Sequence, residues 1–311
     1  MTSRANRPRL SSGSSRLITG PQTGNLRIGT CSWNYDSWVG LVYTKTRRRA
    51  VDYLPEYAQR FDTAEIDSWF YAIPDTASVA EYAGAVPATF RWTCKAPRQI
   101  TLTHLRGSHG KSNLPNPDFL SHELFGRFVS AIEPILPATD AVMLEFEYLN
   151  HEKMPGGLNQ FVDVLSGFLD RVRREVGGGI PIAIEPRNAG FLTTQWFRFL
   201  LSTETAHVFS QKQYMPQIAE VCQVHHDLIV QMPRAVIRLL GGDRREIETE
   251  TGRVWNRIVQ PRDREKEVIA GVVADFVKEG YATINVNNHY EGSAPLTVRS
   301  IRELLGFSAP A

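Results

Sequence analysis

Short apolar stretches alternate with helical periodicities along the chain and predict eight strand–helix units. The eight predicted strands span 26–33, 61–70, 90–95, 141–147, 180–185, 206–210, 235–240 and 282–288. Between them, apolar residues recur three or four positions apart, as on one face of a helix, most clearly within 53–61, 119–132, 161–172, 268–277 and 298–305. Eight such alternations favour a single TIM-type (β/α)8 barrel, an α/β fold with a parallel sheet.

A doubly wound open sheet is the competing fold class. Such a sheet is expected to carry a phosphate loop of the form G-x-G-x-x-G after its first strand. Here the first strand leads into Gly29-Thr30-Cys31-Ser32-Trp33, which is a different pattern. The barrel is therefore the preferred interpretation.

The polar residues inside the predicted strands are the first candidate chemistry. In a barrel strand the outward residues are apolar, because helices cover them, and the alternate residues point inward. This alternation predicts inward side chains at Glu65, Asp67, Trp69, Lys95, Glu145, Glu147, Glu185, Arg238, Asn285, Asn287 and His289. Buried charges require partners, so ion pairs such as Lys95 with Glu65 or Arg238 with Glu185 are expected. The cluster is interpreted either as an active site or as a structural lattice of salt bridges.

Charge and composition divide the chain into a tail and a barrel. The formal net charge is +2, and residues 1–25 contain four arginines and no acidic residue, which leaves 31 basic against 33 acidic residues beyond them. We expect a disordered basic N-terminal tail over 1–25 and the barrel over 26–308. The nearly neutral barrel argues against a protein whose main partner is a long phosphate backbone.

Cysteine number and hydropathy indicate the compartment. Three cysteines without a C-x-x-C spacing argue against a disulfide framework and favour a reducing, cytoplasmic location. The chain has no apolar run of 18 residues, so no membrane partner is expected. The sequence gives no prediction of oligomeric state.

Five motifs resemble those of one known family. They are Gly29–Tyr35 with Trp38, Gly40 and Tyr43; Glu65–Ser68 with Phe70, Tyr71 and Pro74; Phe90 and Lys95–Arg98 with Ile100, Thr101 and His104; Glu185–Asn188; and Asn287–Tyr290 with Gly292, Ala294 and Pro295. The chain resembles the domain of unknown function 72 family, also called YecE-like, over about 26–308. The resemblance implies a TIM-type barrel. A fold-level likeness of that family to xylose isomerase and endonuclease IV suggests metal-dependent or phosphodiester chemistry, which is an analogy.

The sequence departs from the family pattern at two strands. The seventh reads Arg238-Leu239-Leu240-Gly241, where many members have a histidine before the glycine. The fourth reads Leu144-Glu145-Phe146-Glu147, where many have a glutamine and then prolines. These departures indicate a branch whose ligand differs from that of other members.

Four residues are predicted to be catalytic: Glu65, Lys95, Glu185 and His289. Imidazole titrates near neutral pH, so His289 is a candidate acid or base, with a turn histidine as the structural alternative. Lys95 is interpreted as the partner of an anion, of Glu65, or of a carbonyl in a Schiff base. Glu65, Glu145 and Glu185 are candidate bases or ligands for a divalent metal ion such as Mg²⁺ or Mn²⁺.

The remaining candidates are predicted to bind the ligand. They are Trp33, Tyr35, Asp67, Tyr71, Arg98, Glu145, Arg187, Arg238, Asn287 and Asn288. The aromatic members, with Trp38 and Trp69, form either a stacking wall for a sugar or a base or a hydrophobic plug under a loop. Gly241–Arg245 and Gly292 follow the last two strands, where barrels often bind phosphate, although a plain turn has the same composition.

These features predict an enzyme, a hydrolase or an isomerase. Its ligand would be an anion derived from a phosphate, a sugar or a nucleic acid, bound at the C-terminal mouth of the barrel. The alternative is a non-catalytic nucleic-acid-binding protein, which would use the same mouth together with the basic run 45–49 and the tail.

Overall fold

Eight parallel strands close into a barrel in the order in which they occur along the chain. The computed structural model describes residues 24–105 and 114–307. Each strand pairs with its neighbours in sequence, and the first pairs with the last. The strands are β1 Leu26–Cys31, β2 Thr63–Ile66, β3 Arg91–Lys95, β4 Thr139–Glu145, β5 Ile182–Glu185, β6 Ala206–Lys212, β7 Arg234–Gly241 and β8 Tyr281–Val286. The predicted TIM-type barrel is confirmed.

Helices follow every strand and cover the outside of the barrel. They are α1 Leu54–Tyr57, α2 Thr76–Gly84, α3 His122–Ala131, α4 Gly157–Arg171, α5 Thr194–Ser202, α6 Ile218–Val224, α7 His226–Ile229, α8 Arg244–Thr251, α9 Asp263–Phe276 and α10 Ala294–Leu304. Side chains that accept from backbone N–H groups fix several helix starts: Asp75 for α2, Ser121 for α3 and Thr193 for α5. The apolar stripes seen in the sequence face the sheet.

Two apolar regions make up the core. The larger one lies between the barrel and its helices and contains the bulky side chains, including Trp38, Trp92 and Trp196. The smaller one fills the middle of the barrel with small or slender side chains, namely Ala141, Met143, Ala183, Ala206, Val208 and Val236. This inner layer separates the two ends of the barrel interior.

Short 3-10 turns end three strands earlier than the sequence predicts, so three inward predictions are wrong. β2 ends at Ile66, and the turn Ser68–Phe70 carries the Trp69 ring outward against Tyr82 and Phe128. β8 ends at Val286, and the turn Asn288–Tyr290 directs His289 away from the barrel axis. β4 ends at Glu145, and Glu147 accepts from Thr103 and Lys153 in the loops. Alternation applies only while the chain stays extended.

A register shift turns one acidic residue into the amino end of the barrel. Trp92 pairs with Thr139 and Thr93 pairs with Ala141, which leaves Asp140 as an extra residue in β4. The Asp140 carboxylate accepts from the Tyr281 hydroxyl at 2.8 Å and from Thr283 at 3.2 Å. Burial raises the pKa of Asp140, although these hydrogen bonds and Arg234 oppose the shift.

The two remaining organisational predictions concern the ends of the chain and the membrane. The predicted tail over 1–25 lies outside the described residues, apart from positions 24 and 25. Among the helices of the described ranges, none is both long enough and apolar enough to span a bilayer.

Candidate functional site

Arg238 occupies the centre of the barrel at its carboxyl end. It reaches this position because β7 alternates strictly, with Ile237 and Leu239 in the outer core. Its Nε and Nη2 donate to the two oxygens of Glu65 at 2.8 and 2.7 Å. Its Nη1 donates to Glu185 at 2.5 Å and to Glu145 at 3.0 Å. One guanidinium therefore joins carboxylates from β2, β4 and β5.

Two further cations complete this cluster. The Lys95 ammonium lies 2.6 Å from Asp67 and 3.0 Å from Glu145, but 3.9 Å from its predicted partner Glu65. Arg187 Nη2 lies 2.8 Å from Glu145 and 2.9 Å from Glu185. We call this set the mouth network; its members are Glu65, Asp67, Lys95, Glu145, Glu185, Arg187 and Arg238. The structure thus brings seven of the predicted site residues together.

Burial and pairing separate the protonation states of the acids. Burial raises the pKa of Glu65 to about 7, against the opposing effect of Arg238. Burial also opposes ionisation of Asp67 and Glu145, but the nearby Lys95 ammonium outweighs it and holds the pKa of both below the usual range. The acids also raise the pKa of Lys95, although burial and Arg238 lower it. Lys95 is therefore an ammonium ion, which does not support Schiff-base chemistry at this amine.

Members of the mouth network differ in their access to a ligand. The side chains of Glu65 and Glu185 are fully buried, and Arg238 is 2% exposed. Asp67 is 28% exposed, Glu145 is 18% exposed, and Lys95 and Arg187 are 12% exposed. A ligand can touch these four outer side chains directly, whereas Glu65 and Glu185 act on it through them.

The predicted metal ligands do not fit a divalent ion. All six oxygens of Glu65, Glu145 and Glu185 accept from Arg238, Arg187, Lys95 or the Ser210 hydroxyl. The Arg238 guanidinium occupies the position between the carboxylates that a metal ion would need. In residues 24–105 and 114–307, no group of three acidic, histidine or cysteine side chains could hold a metal.

A cavity of about 540 Å³ opens above the mouth network, between the loops that follow β2 to β6. Glu145 and Arg187 form its contact with the network, and Arg98 and Lys212 also line it. Arg98 lies over the Tyr71 ring at 5.5 Å. Neither Arg98 nor Lys212 pairs with a carboxylate of the described residues. Burial and the charge of Arg187 lower the pKa of Lys212. This mouth cavity therefore has an excess of positive charge.

Three lining residues were missed by the sequence analysis: Lys212, Tyr148 and Tyr214. The predicted sixth strand ends at Ser210, but β6 continues to Lys212. The inward alternation Val208, Ser210, Lys212 was the available signal. Tyr148 and Tyr214 lie in loops, where periodicity gives no information about direction.

The predicted aromatic wall is mostly a hydrophobic plug. Trp33, Trp38 and Trp69 are buried in the outer core, and Trp33 donates its ring N–H to the Ala50 carbonyl at 2.8 Å. Tyr35 lies close to Asp67, and burial together with that carboxylate raises its pKa. Among the predicted aromatic residues, Tyr71 stands apart because it is 71% exposed.

His289 lies outside the mouth network. Its ring contacts Trp255 at 4.9 Å between centroids, its Nε2 lies 3.1 Å from Glu248, and its Nδ1 lies 2.5 Å from the Asn287 carbonyl oxygen. Burial lowers the pKa of His289, although Glu248 opposes the shift. Asn287 also accepts from the backbone of His289, and Asn288 accepts from Ala294 at the start of α10. The observed contacts of all three residues are therefore within the loops after β7 and β8.

The glycines of those loops allow close packing of backbones. A Cβ on Gly241 would lie 2.2 Å from the His289 carbonyl oxygen, and one on Gly292 would lie 2.7 Å from that of Arg257. The Asp243 carboxylate accepts from the N–H groups of Arg245 and Glu246 at the start of α8. The N-terminus of this helix is therefore capped by its own side chain.

The basic run at 45–49 is largely neutralised by neighbouring acids. Arg47 pairs with Glu56, and Arg49 pairs with Asp52 and Glu81. Such pairs reduce the charge that this segment presents to a phosphate backbone.

Comparisons with known proteins identify the family. A family model for "Protein of unknown function DUF72" matches residues 27–311. The fold is similar to that of a DUF72 family protein from Enterococcus faecalis, with a TM-score of 0.64 and 19% identity over 91% of this chain and 96% of that chain. It is also similar to a DUF72 family protein from Thermotoga maritima, with a TM-score of 0.63 and 18% identity over 91% and 99% of the two chains. None of the curated proteins compared with the chain matches it. The family match over nearly the whole barrel agrees with the five motifs, and the chain belongs to the DUF72 family.

Proposed function

We propose that this TIM-barrel protein is an enzyme, a hydrolase or an isomerase, that binds a small anionic ligand in the mouth cavity. The observation that carries the proposal is the pair Arg98 and Lys212, which line the cavity without a carboxylate partner among the described residues. Cations that lower each other's affinity for protons are stabilised when an anion binds between them. Arg187 lies beside them and presents a planar guanidinium to the same space.

Proton transfer is the chemistry that the mouth network supports. Glu65, with a pKa of about 7, exchanges a proton at neutral pH, and its side chain is hydrogen-bonded to that of Asp67. Asp67 is the partly exposed member of this pair and passes the proton to or from the ligand. The Lys95 ammonium, 2.6 Å from Asp67, neutralises negative charge that develops beside it. Paired carboxylates with separated pKa values are typical of acid–base catalysis.

The binding step is tested by calorimetry with inorganic phosphate and a panel of phosphate monoesters and carboxylates. We expect the double variant Arg98→Ala/Lys212→Ala to lose at least about tenfold in affinity. Arg174→Ala removes an exposed cation from the opposite end of the barrel and serves as the control. If the wild-type protein binds none of these anions, the proposal is wrong.

The catalytic step is tested by following the bound compounds by NMR for hydrolysis or isomerisation. Asp67→Asn is expected to keep binding and to lose turnover, because it keeps the shape and removes the exchangeable proton. Binding without turnover, together with a steep loss of affinity for single-stranded nucleic acid as salt is raised, would instead support the non-catalytic nucleic-acid-binding alternative.

A further inference from the structure

We infer that the mouth cavity binds an anion that carries a flat aromatic ring, a phosphate monoester of the size of a mononucleotide, with the ring held by Tyr148 and Tyr214. This inference rests on the proposed function and specifies its ligand. It follows from two exposed tyrosines that stand on either side of Arg187 in the order of the barrel strands.

Both tyrosines are exposed although they line a cavity. Tyr148 is 63% exposed and Tyr214 is 87% exposed, and both belong to the walls of the mouth cavity. A bare phenol ring in water contributes no burial to folding. Tyr214 has in addition a φ of 67°, a left-handed conformation that is unfavourable for a bulky residue. Folding alone gives no benefit from a tyrosine at this position, whereas a ring-bearing ligand would cover it.

The backbone fixes both tyrosines relative to the cations. The Asn188 side chain accepts from the Leu149 N–H at 2.9 Å and donates to the Leu149 carbonyl at 2.8 Å. This pair of hydrogen bonds ties the residue after Tyr148 to the residue after Arg187. On the other side, the Met215 N–H donates to the Lys212 carbonyl at 3.2 Å, so a tight turn holds Tyr214 two residues from the Lys212 ammonium.

The arrangement places two aromatic walls around a cationic floor. Tyr148 follows β4, Arg187 follows β5, and Lys212 and Tyr214 follow β6, so the phosphate and the ring of one ligand have separate contacts. Arg98 and Tyr71 repeat the combination of cation and ring on the side of β2 and β3. Bases stack on tyrosine whatever their identity, because each has a flat π face.

The volume limits the ligand to a small molecule. A cavity of about 540 Å³ falls within the range of about 300–1,000 Å³ that is typical of small-ligand pockets. The cations lie at one cavity and do not continue as a stripe along the surface, since the run at 45–49 is paired with acids. A mononucleotide matches both the size and the charge better than a polymer does.

The test compares adenosine 5′-monophosphate, ribose 5-phosphate and inorganic phosphate by calorimetry on the full chain. We expect the nucleotide to bind at least about tenfold more tightly than the sugar phosphate. The double variant Tyr148→Leu/Tyr214→Leu removes the π faces and keeps apolar side chains, so we expect it to erase that difference. Tyr148→Phe/Tyr214→Phe keeps the rings and is expected to preserve the difference, which makes it the matched control.

Three results would overturn the inference, and they differ in what they leave standing. Equal affinity for the nucleotide and the sugar phosphate, both weakened in Arg98→Ala/Lys212→Ala, rejects the aromatic ring and keeps the proposed function. Absence of binding for all three anions rejects both. Affinity that rises steadily with the length of a single-stranded oligonucleotide rejects a mononucleotide-sized ligand in favour of a polymer.

Discussion

The two halves of the barrel mouth treat their charged and aromatic side chains differently. We call the part above β2 to β6 the open half and the part above β7, β8 and β1 the closed half. In the closed half, Glu291 pairs with Lys266, and Glu248 pairs with Arg244 and Arg253. The rings there pack on one another, as Trp255 does on His289. The open half leaves Arg98 and Lys212 without carboxylate partners among the described residues and leaves its tyrosines exposed.

This difference separates groups that stabilise the fold from groups that are available to a ligand. Paired charges and packed rings lower the free energy of the folded chain, whereas like charges left beside each other raise it. Functional sites commonly retain such unfavourable features because binding requires them. The closed half therefore acts as a support, and the open half is the part of the mouth that a ligand completes.

Removal of Arg238 should have the largest effect, because this residue supports both halves from below. Arg238→Met leaves Glu65 and Glu185 buried without a compensating cation, and we expect a loss of about 3–5 kcal/mol in the free energy of unfolding. Urea unfolding measures it. A loss below about 1 kcal/mol would show that the network is not a structural centre.

The pH dependence of stability tests the protonation of Glu65. Its pKa is about 7 in the folded chain and 4.5 in its absence of interactions, so the unfolded chain releases this proton first as pH rises. The group therefore destabilises the fold progressively between about pH 4.5 and 7. Relative to Glu65→Gln, we expect the wild-type protein to lose about 3 kcal/mol across that window. Unfolding curves at pH 4.5 and 7.5 with the same slope in both proteins would contradict the raised pKa.

A substitution at His289 distinguishes support from chemistry in the closed half. His289→Ala removes the contact with Trp255 and the hydrogen bonds to Glu248 and Asn287, and we expect a loss of about 1–2 kcal/mol in stability. Ligand affinity, measured below the unfolding transition, should stay within a factor of about two. A much larger loss of turnover in the folded variant would place His289 among the catalytic residues, as the sequence predicts.

The smallest effect on stability is expected in the open half. Arg98→Ala and Lys212→Ala remove cations that have no carboxylate partner in the described part of the chain, so each should change the free energy of unfolding by less than about 0.5 kcal/mol. Thermal unfolding provides the measurement. If either variant lost more than about 1 kcal/mol, its side chain would be part of the structural framework and the contrast between the halves would fail.

Regular alternation explains what could be predicted from the sequence. Apolar outer faces located all eight strands, and the same alternation placed Glu65, Glu185 and Arg238 inside the barrel. It failed where the chain leaves the extended conformation, as at His289 and Trp69, since a 3-10 turn rotates the next side chains by a different angle.

Partners across the barrel were beyond the reach of sequence patterns. Arg238 joins three strands that are far apart along the chain, and Lys95 prefers Asp67 and Glu145 to Glu65. Such choices depend on distances within about 1 Å, which periodicity does not encode. Loop tyrosines such as Tyr214 could not be assigned for the same reason, because their direction is set by turns and not by a repeat.

The apolar layer in the middle of the barrel has a kinetic consequence for the network above it. Ala141, Met143, Ala183, Ala206, Val208 and Val236 contain no group that could relay a proton, and Asp140 lies on their far side. Glu65 therefore exchanges protons with bulk water through the mouth alone. A ligand that fills the mouth closes this route, and the network then retains the protonation state in which the ligand found it until the ligand departs.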